Sequence, residues 1–267
     1  MTAIDFASFV DRLATASGET ILPFFRTALA VENKKAGGFD PVTQADQAGE
    51  QAMRTLIRKA FPDHGILAEE SGRQGGDEYV WIIDPLDGTT NFLHGFPQFA
   101  VSIACQHRGR AEAGVIFDPL RSELFTASRG AGAQLENRRL RVSAQRSIEG
   151  SLIGTGFPYR ANMRWLKPYL LMLEQVMQHA AGVRRPGSAA LDLAYVAAGR
   201  LDGFWELGLA PWDTAAGNLM ITEAGGRIGT LSGSPYADGG NLVAGNPRVF
   251  AALVESFAPF LSDELRR

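Results

Sequence analysis

Asp84 and Asp87 stand three residues apart where an apolar run ends, in Trp81-Ile-Ile-Asp84-Pro-Leu86-Asp87-Gly88-Thr89-Thr90-Asn91-Phe92. Carboxylates so placed suit a hard divalent cation, which takes oxygen ligands, keeps several waters and leaves part of its shell to a phosphate. Pro85 fixes φ and interrupts the strand. The N–H groups of Gly88, Thr89 and Thr90 can then open a helix whose amino end attracts a phosphate. Read alone, the same letters also fit a strand-end turn in which one Asp caps the next helix.

Further acids stand at the ends of elements. In His64-Gly-Ile-Leu-Ala68-Glu69-Glu70-Ser71 two adjacent carboxylates follow a short apolar strand. They repel each other unless a cation or hydrogen-bond donors intervene, although most Glu-Glu pairs in loops are simply solvated. Thr43-Gln-Ala-Asp46 precedes a helical pattern and has the form of a capping box. Asp213, in Pro211-Trp212-Asp213-Thr-Ala-Ala-Gly217, sits at another helix start and reads as an N-cap, while Glu206 ends a strand seven residues earlier. Arg184-Arg185 fits an anionic ligand, an interface or a solvated loop, and Lys34-Lys35 fits a solvated loop.

Taken together these motifs resemble the inositol monophosphatase family. The stretch from Trp81 to Phe92 matches almost letter for letter, and the other motifs follow in the right order over about residues 5 to 260. The resemblance implies an α+β half followed by an α/β half, a layered αβαβα sandwich of the inositol monophosphatase and fructose bisphosphatase type. It implies magnesium-dependent hydrolysis of a phosphate monoester, with two or three Mg2+ in the site. The metal positions would be Glu69, Asp84, the Leu86 carbonyl, Asp87 and Asp213. Asp46 and Thr89 would orient the attacking water, and Glu70 would help hold a further metal or its waters. Gly88 and Thr89 amides would bind phosphate, while Gly187, Ser188, Ala189 and Glu206 would meet a hydroxyl-bearing ring. Lys35 matches a lysine near the phosphate region.

The implied substrate is a small phosphorylated polyol or amino alcohol. The pocket motifs and Gly187 to Gly199 look like bacterial inositol monophosphatases, including members that also act in transcription antitermination. Pro23-Phe-Phe-Arg26, Asp40-Pro-Val-Thr43 and Phe61-Pro-Asp-His-Gly-Ile-Leu67 are similar instead to histidinol-phosphate phosphatases. Inositol phosphate is therefore the first expectation and histidinol phosphate the second. A transcription-complex partner with secondary catalysis is a reading of another class. The family resemblance makes a homodimer the expected assembly.

Two amphipathic helices are expected over residues 5 to 27 and 47 to 60. Short apolar runs divided by turns between Tyr79 and Val142 then predict an antiparallel meander. Beyond about residue 148 the pattern alternates: a strand at 152–155, helices near 162–180 and 188–199, a strand at 202–206, a helix near 213–224, two short strands and a closing helix. The expected organisation is residues 1–147 as an α+β part carrying the metal loops and 148–267 as an α/β part carrying substrate contacts, with a cleft between them.

With 267 residues, 45% hydrophobic, the chain has ample core material. Net charge −3 gives no broad basic field for nucleic acid or anionic membrane, so a phosphorylated ligand depends on local cations. A single cysteine, Cys105, excludes an internal disulfide and reads as core filler; four scattered histidines argue against structural zinc. No apolar stretch approaches the ~18 residues of a membrane span, and no leader is evident, so the expectation is a cytoplasmic protein.

Overall fold

Hydrophobic burial sorts the chain into five layers. The computed structural model describes residues 3–29, 31–33 and 41–266; Lys34, Lys35 and Asp40 lie outside them. In chain order the elements are α1 (Ala3–Ile21), β1 (Val31–Asn33), β2 (Pro41–Thr43), α2 (Gln44–Ala60), β3 (Gly65–Ala68), β4 (Gly72–Gln74), β5 (Tyr79–Asp87) and α3 (Thr89–Leu93). There follow β6 (Ala100–His107), β7 (Arg110–Asp118), β8 (Glu123–Ser128), β9 (Gly132–Leu135) and β10 (Arg138–Arg139). The second half comprises β11 (Leu152–Thr155), α4 (Leu166–His179), β12 (Gly182–Arg184), α5 (Ala189–Ala197), β13 (Gly203–Leu209), α6 (Pro211–Glu223), β14 (Arg227–Gly229), β15 (Gly240–Gly245) and α7 (Pro247–Phe257).

One sheet runs β10-β9-β8-β7-β6-β5-β3-β4 and another runs β12-β11-β13-β15-β14. The expected meander is present from β5 to β10, every pair antiparallel. The parallel pairing of β3 with β5 is an addition that periodicity did not reveal. It sets the ends of β3 and β5, and hence Glu69 and Asp84, at the same edge of the sheet.

Three apolar clusters bind the layers. α1 and α2 cover one face of the large sheet through Leu13, Ile21, Met53, Trp81 and Val101. α5 and α6 lie between the two sheets, where Ala190, Leu193, Ala216 and Met220 meet Ile82, Ile116, Phe204 and Leu242. α4 and α7 cover the outer face of the small sheet through Tyr169, Met172, Trp205, Leu253 and Phe257. This is the αβαβα sandwich expected from the resemblance. Ala and Gly dominate the facing surfaces of α5 and α6, as in Ala215-Ala216-Gly217, which lets two helices fit between the sheets. A Cβ on Gly217 would lie 2.6 Å from Leu193.

Cys105 sits on β6, between Trp81 of β5 and Ala113 of β7, and is buried. Burial pushes its thiol up to about 12, the behaviour of core filler. Among the described residues no helix is long and apolar enough to cross a membrane.

Candidate active site

In a regular strand residues i and i+3 face opposite sides, so Asp84 and Asp87 could not share a ligand. The sheet solves this with a bulge: Asp84 pairs with Ser102 and Asp87 with Ala100, placing an extra residue between them. Pro85, which donates no ladder hydrogen bond, lies within it. Asp84 accepts from the Leu86 N–H (2.8 Å) and is buried.

Asp87 reaches across to the second half, where its Oδ2 accepts from the Ser188 hydroxyl (2.5 Å) and the Ala190 N–H (2.8 Å). Asp213 arrives from α6. That helix begins at Pro211, earlier than expected, and its N-cap is Ala210; Asp213 is the third helical residue and accepts from the Ala210 N–H (2.7 Å). The expected N-cap role of Asp213 is thus corrected: it reaches back to the cap from inside the helix. Hydrogen bonds orient each of the three acids. Together Asp84, Asp87 and Asp213 offer carboxylate oxygens within 4.8 Å of one another.

Such crowding has an electrostatic cost. Burial, then the charges of Glu69, Asp87 and Asp213, holds Asp84 well above the usual carboxylate range. Burial likewise pushes Asp87 up to about 6, against the hydrogen bonds from Ser188 and Ala190. Asp213 is raised by burial and then by Asp87 and Glu69. A cluster built only of oxygen donors, strained by its own negative charge, has the chemistry of a hard divalent-cation site. The residues fit magnesium on that ground.

Asp46 caps a helix with one oxygen and meets Thr89 with the other. Its Oδ2 accepts from the N–H (2.7 Å) and hydroxyl (2.6 Å) of Thr43, completing the capping box of α2. Its Oδ1 accepts from the Thr89 hydroxyl (3.0 Å), for which the Leu86 carbonyl oxygen is a second acceptor at 3.1 Å. Thr89 opens α3 after Gly88, whose φ is +98°. A Cβ there would meet the Gln98 carbonyl oxygen at 2.9 Å and that of Gly187 at 3.3 Å, so the turn demands glycine.

These groups line a cleft of about 530 Å³, with Glu69, Leu86, Gly88, Thr89, Gly187, Ala189 and Glu206 among its walls. A second cleft of about 510 Å³ runs along α6 past Gln106, Arg110 and Asp238 and shares no lining residue with the first. The carboxylate cluster marks the former as the candidate active site.

Two residues expected in the site stand differently. Ser188 is buried and is not among the lining residues; it caps α5 by accepting from the Leu191 N–H (3.4 Å) and donates to Asp87, so it orients an acid. Glu70 is not a lining residue either; its N–H donates to Glu50 Oε2 (2.9 Å). Glu50 thereby fixes the Glu69-Glu70 turn, a role visible in retrospect because Glu50 falls one helical turn after Asp46 on the same face.

The structure also separates the arginine pair. Arg185 lines the cleft and lies over the Phe157 ring at 5.3 Å, whereas Arg184 does not line it. Asn91 was missed: its Nδ2 donates to the carbonyls of Gln98 (2.7 Å) and Pro186 (2.8 Å), tying α3 to the loop before α5. Glu206 packs against Gly156, where a Cβ would lie 1.9 Å from its Cδ. Burial pushes Glu206 up to about 8, and Arg185 opposes that shift.

Comparison with known proteins places this geometry. The sequence model described as the inositol monophosphatase family matches residues 5–259. The Nus factor SuhB of Pseudomonas aeruginosa is 49% identical over 262 residues, covering 96% of this chain and 97% of that protein. The crystal structure of extragenic suppressor protein SuhB from Bartonella henselae superposes with a TM-score of 0.89 at 44% identity, covering 94% of this chain and 97% of the other. The structure of inositol monophosphatase from Anabaena gives a TM-score of 0.84 at 38% identity, with 96% of each chain covered.

Proposed function

Because the chain belongs to the inositol monophosphatase family, we propose that it is a magnesium-dependent phosphate monoester hydrolase whose first substrate is an inositol monophosphate. The observation that carries this reading is the convergence of Asp84, Asp87 and Asp213 beside the Asp46–Thr89 pair in one cleft. Asp84, Asp87, Asp213, Glu69 and the Leu86 carbonyl would hold the cation. Magnesium, when bound, polarises a phosphate and acidifies water.

The chain's own groups do the rest. The Thr89 hydroxyl donates a hydrogen bond to Asp46, so its oxygen is free to accept a hydrogen bond from the attacking water, and as that water's proton moves to Thr89 the Thr89 proton passes to the Asp46 carboxylate. The N–H groups of Gly88 and Thr89, at the rim of the cleft, can hold phosphate oxygens. Gly187, Ala189 and Glu206 line the wall that would face the leaving alcohol, and Glu206, proton-bearing near neutrality, can donate to or accept from a polyol hydroxyl.

The test is phosphate release from inositol 1-phosphate and histidinol phosphate in parallel, with and without magnesium. Strong magnesium-dependent turnover of one substrate, abolished in Asp87→Asn, supports the phosphatase and assigns its substrate; no release from either removes both candidates. Homodimerisation follows from the family resemblance and is checked by sedimentation velocity.

The name Nus factor borne by the Pseudomonas relative favours a second reading, a role in a transcription complex. A pull-down with transcription factors that persists in Asp87→Asn supports a surface role separate from the site; no interaction at moderate salt counts against it.

A further inference from the structure

Asp192 is a buried acid that the proposed reaction does not use. It lies on α5, 1% exposed, and its carboxyl makes no hydrogen bond among the described residues; Oδ1 is sealed from solvent without a partner. Its neighbours along α5, Leu191, Leu193 and Ala194, show what packing alone would select here. An unpartnered acid in such a place costs several kcal/mol on transfer, so its retention calls for a use.

The sheet shows where that acid points. Gly154 pairs with Phe204 and Thr155 with Trp205, so Gly156 comes beside Glu206. A Cβ on Gly154 would stand 3.9 Å from Asp192 Cγ, and one on Gly156 would stand 1.9 Å from Glu206 Cδ. Residues two apart in an extended chain face the same side at a spacing of about 7 Å. Asp192, from α5, and Glu206, from β13, thus both stand over one face of the segment that ends β11. Two missing side chains, at Gly154 and Gly156, make room for them.

We propose that Asp192 is a positioning residue for Glu206: its carboxyl is linked to that of Glu206 through one buried water and fixes Glu206 to receive the hydroxyls of a polyol. Burial, with the Asp87 carboxylate adding to it, favours the proton-bearing form of Asp192, and only that form is a donor. Asp192 itself is not among the residues that line the cleft.

The inference rests on the phosphatase reading above, and the experiment separates the two. Asp192→Leu keeps the branched shape but removes the donor; Asp192→Asn keeps the shape and a donor. Both variants, with wild type, are measured for KM and kcat on inositol 1-phosphate, for affinity toward myo-inositol and toward inorganic phosphate in magnesium, and for thermal midpoint. The expected result is a KM and a myo-inositol dissociation constant raised about fivefold in Asp192→Leu, the effect of one lost hydrogen bond, with kcat and phosphate affinity within about twofold. Asp192→Asn should stay within about twofold of wild type throughout, and neither variant should melt below it.

Wild-type inositol affinity in Asp192→Leu overturns the proposal, as does an equal loss in Asp192→Asn. A parallel fall in phosphate affinity and thermal midpoint also overturns it, since that marks a packing role. If the wild type releases phosphate from no ester, the phosphatase reading falls, and the myo-inositol affinities of the three proteins still decide this inference.

Discussion

Asp46 divides its two oxygens between the cap of α2 and the hydroxyl of Thr89, so a substitution there acts on both. Asp46→Asn is expected to lower kcat on the order of 10²-fold, the size of a lost general-base contribution. It should cost about 1 kcal/mol through the weakened cap, read as a thermal midpoint lower by a few degrees. Thr89→Ser should retain most activity and Thr89→Val should match Asp46→Asn in kcat; equal rates for Ser and Val would remove the hydroxyl from the reaction. The capping box was legible because its partners are three residues apart. The bond from Ser188 to Asp87 was not legible because the two lie a hundred residues apart in the chain and no local pattern announces such a bond. Arg184 and Arg185 are indistinguishable by type, and only the turn after β12 decides which of them meets the cleft.

The elements that carry the acids are ordinary in sequence and unusual in how they end. β5 closes with a bulge, α3 opens from a left-handed glycine, and β13 carries an irregular register between Glu206 and Leu209. Gly88→Ala should therefore cost more than a typical surface change, roughly 2 kcal/mol, because it combines a strained φ with a Cβ pressed on the Gln98 carbonyl. Denaturant unfolding of the metal-free variant measures that cost, and a variant as stable as wild type would show that the turn can shift. Strands of the meander were readable from their apolar runs and the turns between them. β1, β2, β4 and β12, three residues each, were not: so short a strand displays no period of two, and the equally short β14 was legible only because Gly225-Gly226 marks the end of the helix before it. The parallel pairing of β3 with β5 was hidden for another reason: a strand's letters do not state its partner.

At the scale of the whole molecule, the two sheets hold the acids together before any cation arrives. Folded-state pKa values above the unfolded ones mean that the native protein binds more protons, so stability is greatest below about pH 4 on this account and falls as pH rises. The window runs from the unfolded carboxylate values near 4 up to about 6 for Asp87 and about 8 for Glu206, with Asp84, Asp192 and Asp213 acting in the same direction. The metal-free protein should lose several degrees of thermal midpoint between about pH 5 and about pH 8, and saturating magnesium should remove most of that slope. A midpoint that climbs with pH in EDTA would contradict the assignment of these acids as a self-repelling cluster. The layered architecture followed from the family motifs, whereas the placement of α5 and α6 as the shared filling between sheets is a product of long-range packing. That central packing also turns Cys105 into a built-in gauge of cooperativity. The only thiol in the chain is locked on an inner strand, so a thiol reagent can reach it only when that strand separates from its neighbours. The labelling rate in native buffer then reports how often the large sheet opens, without any engineered probe, and it should accelerate over the same denaturant range in which circular dichroism is lost.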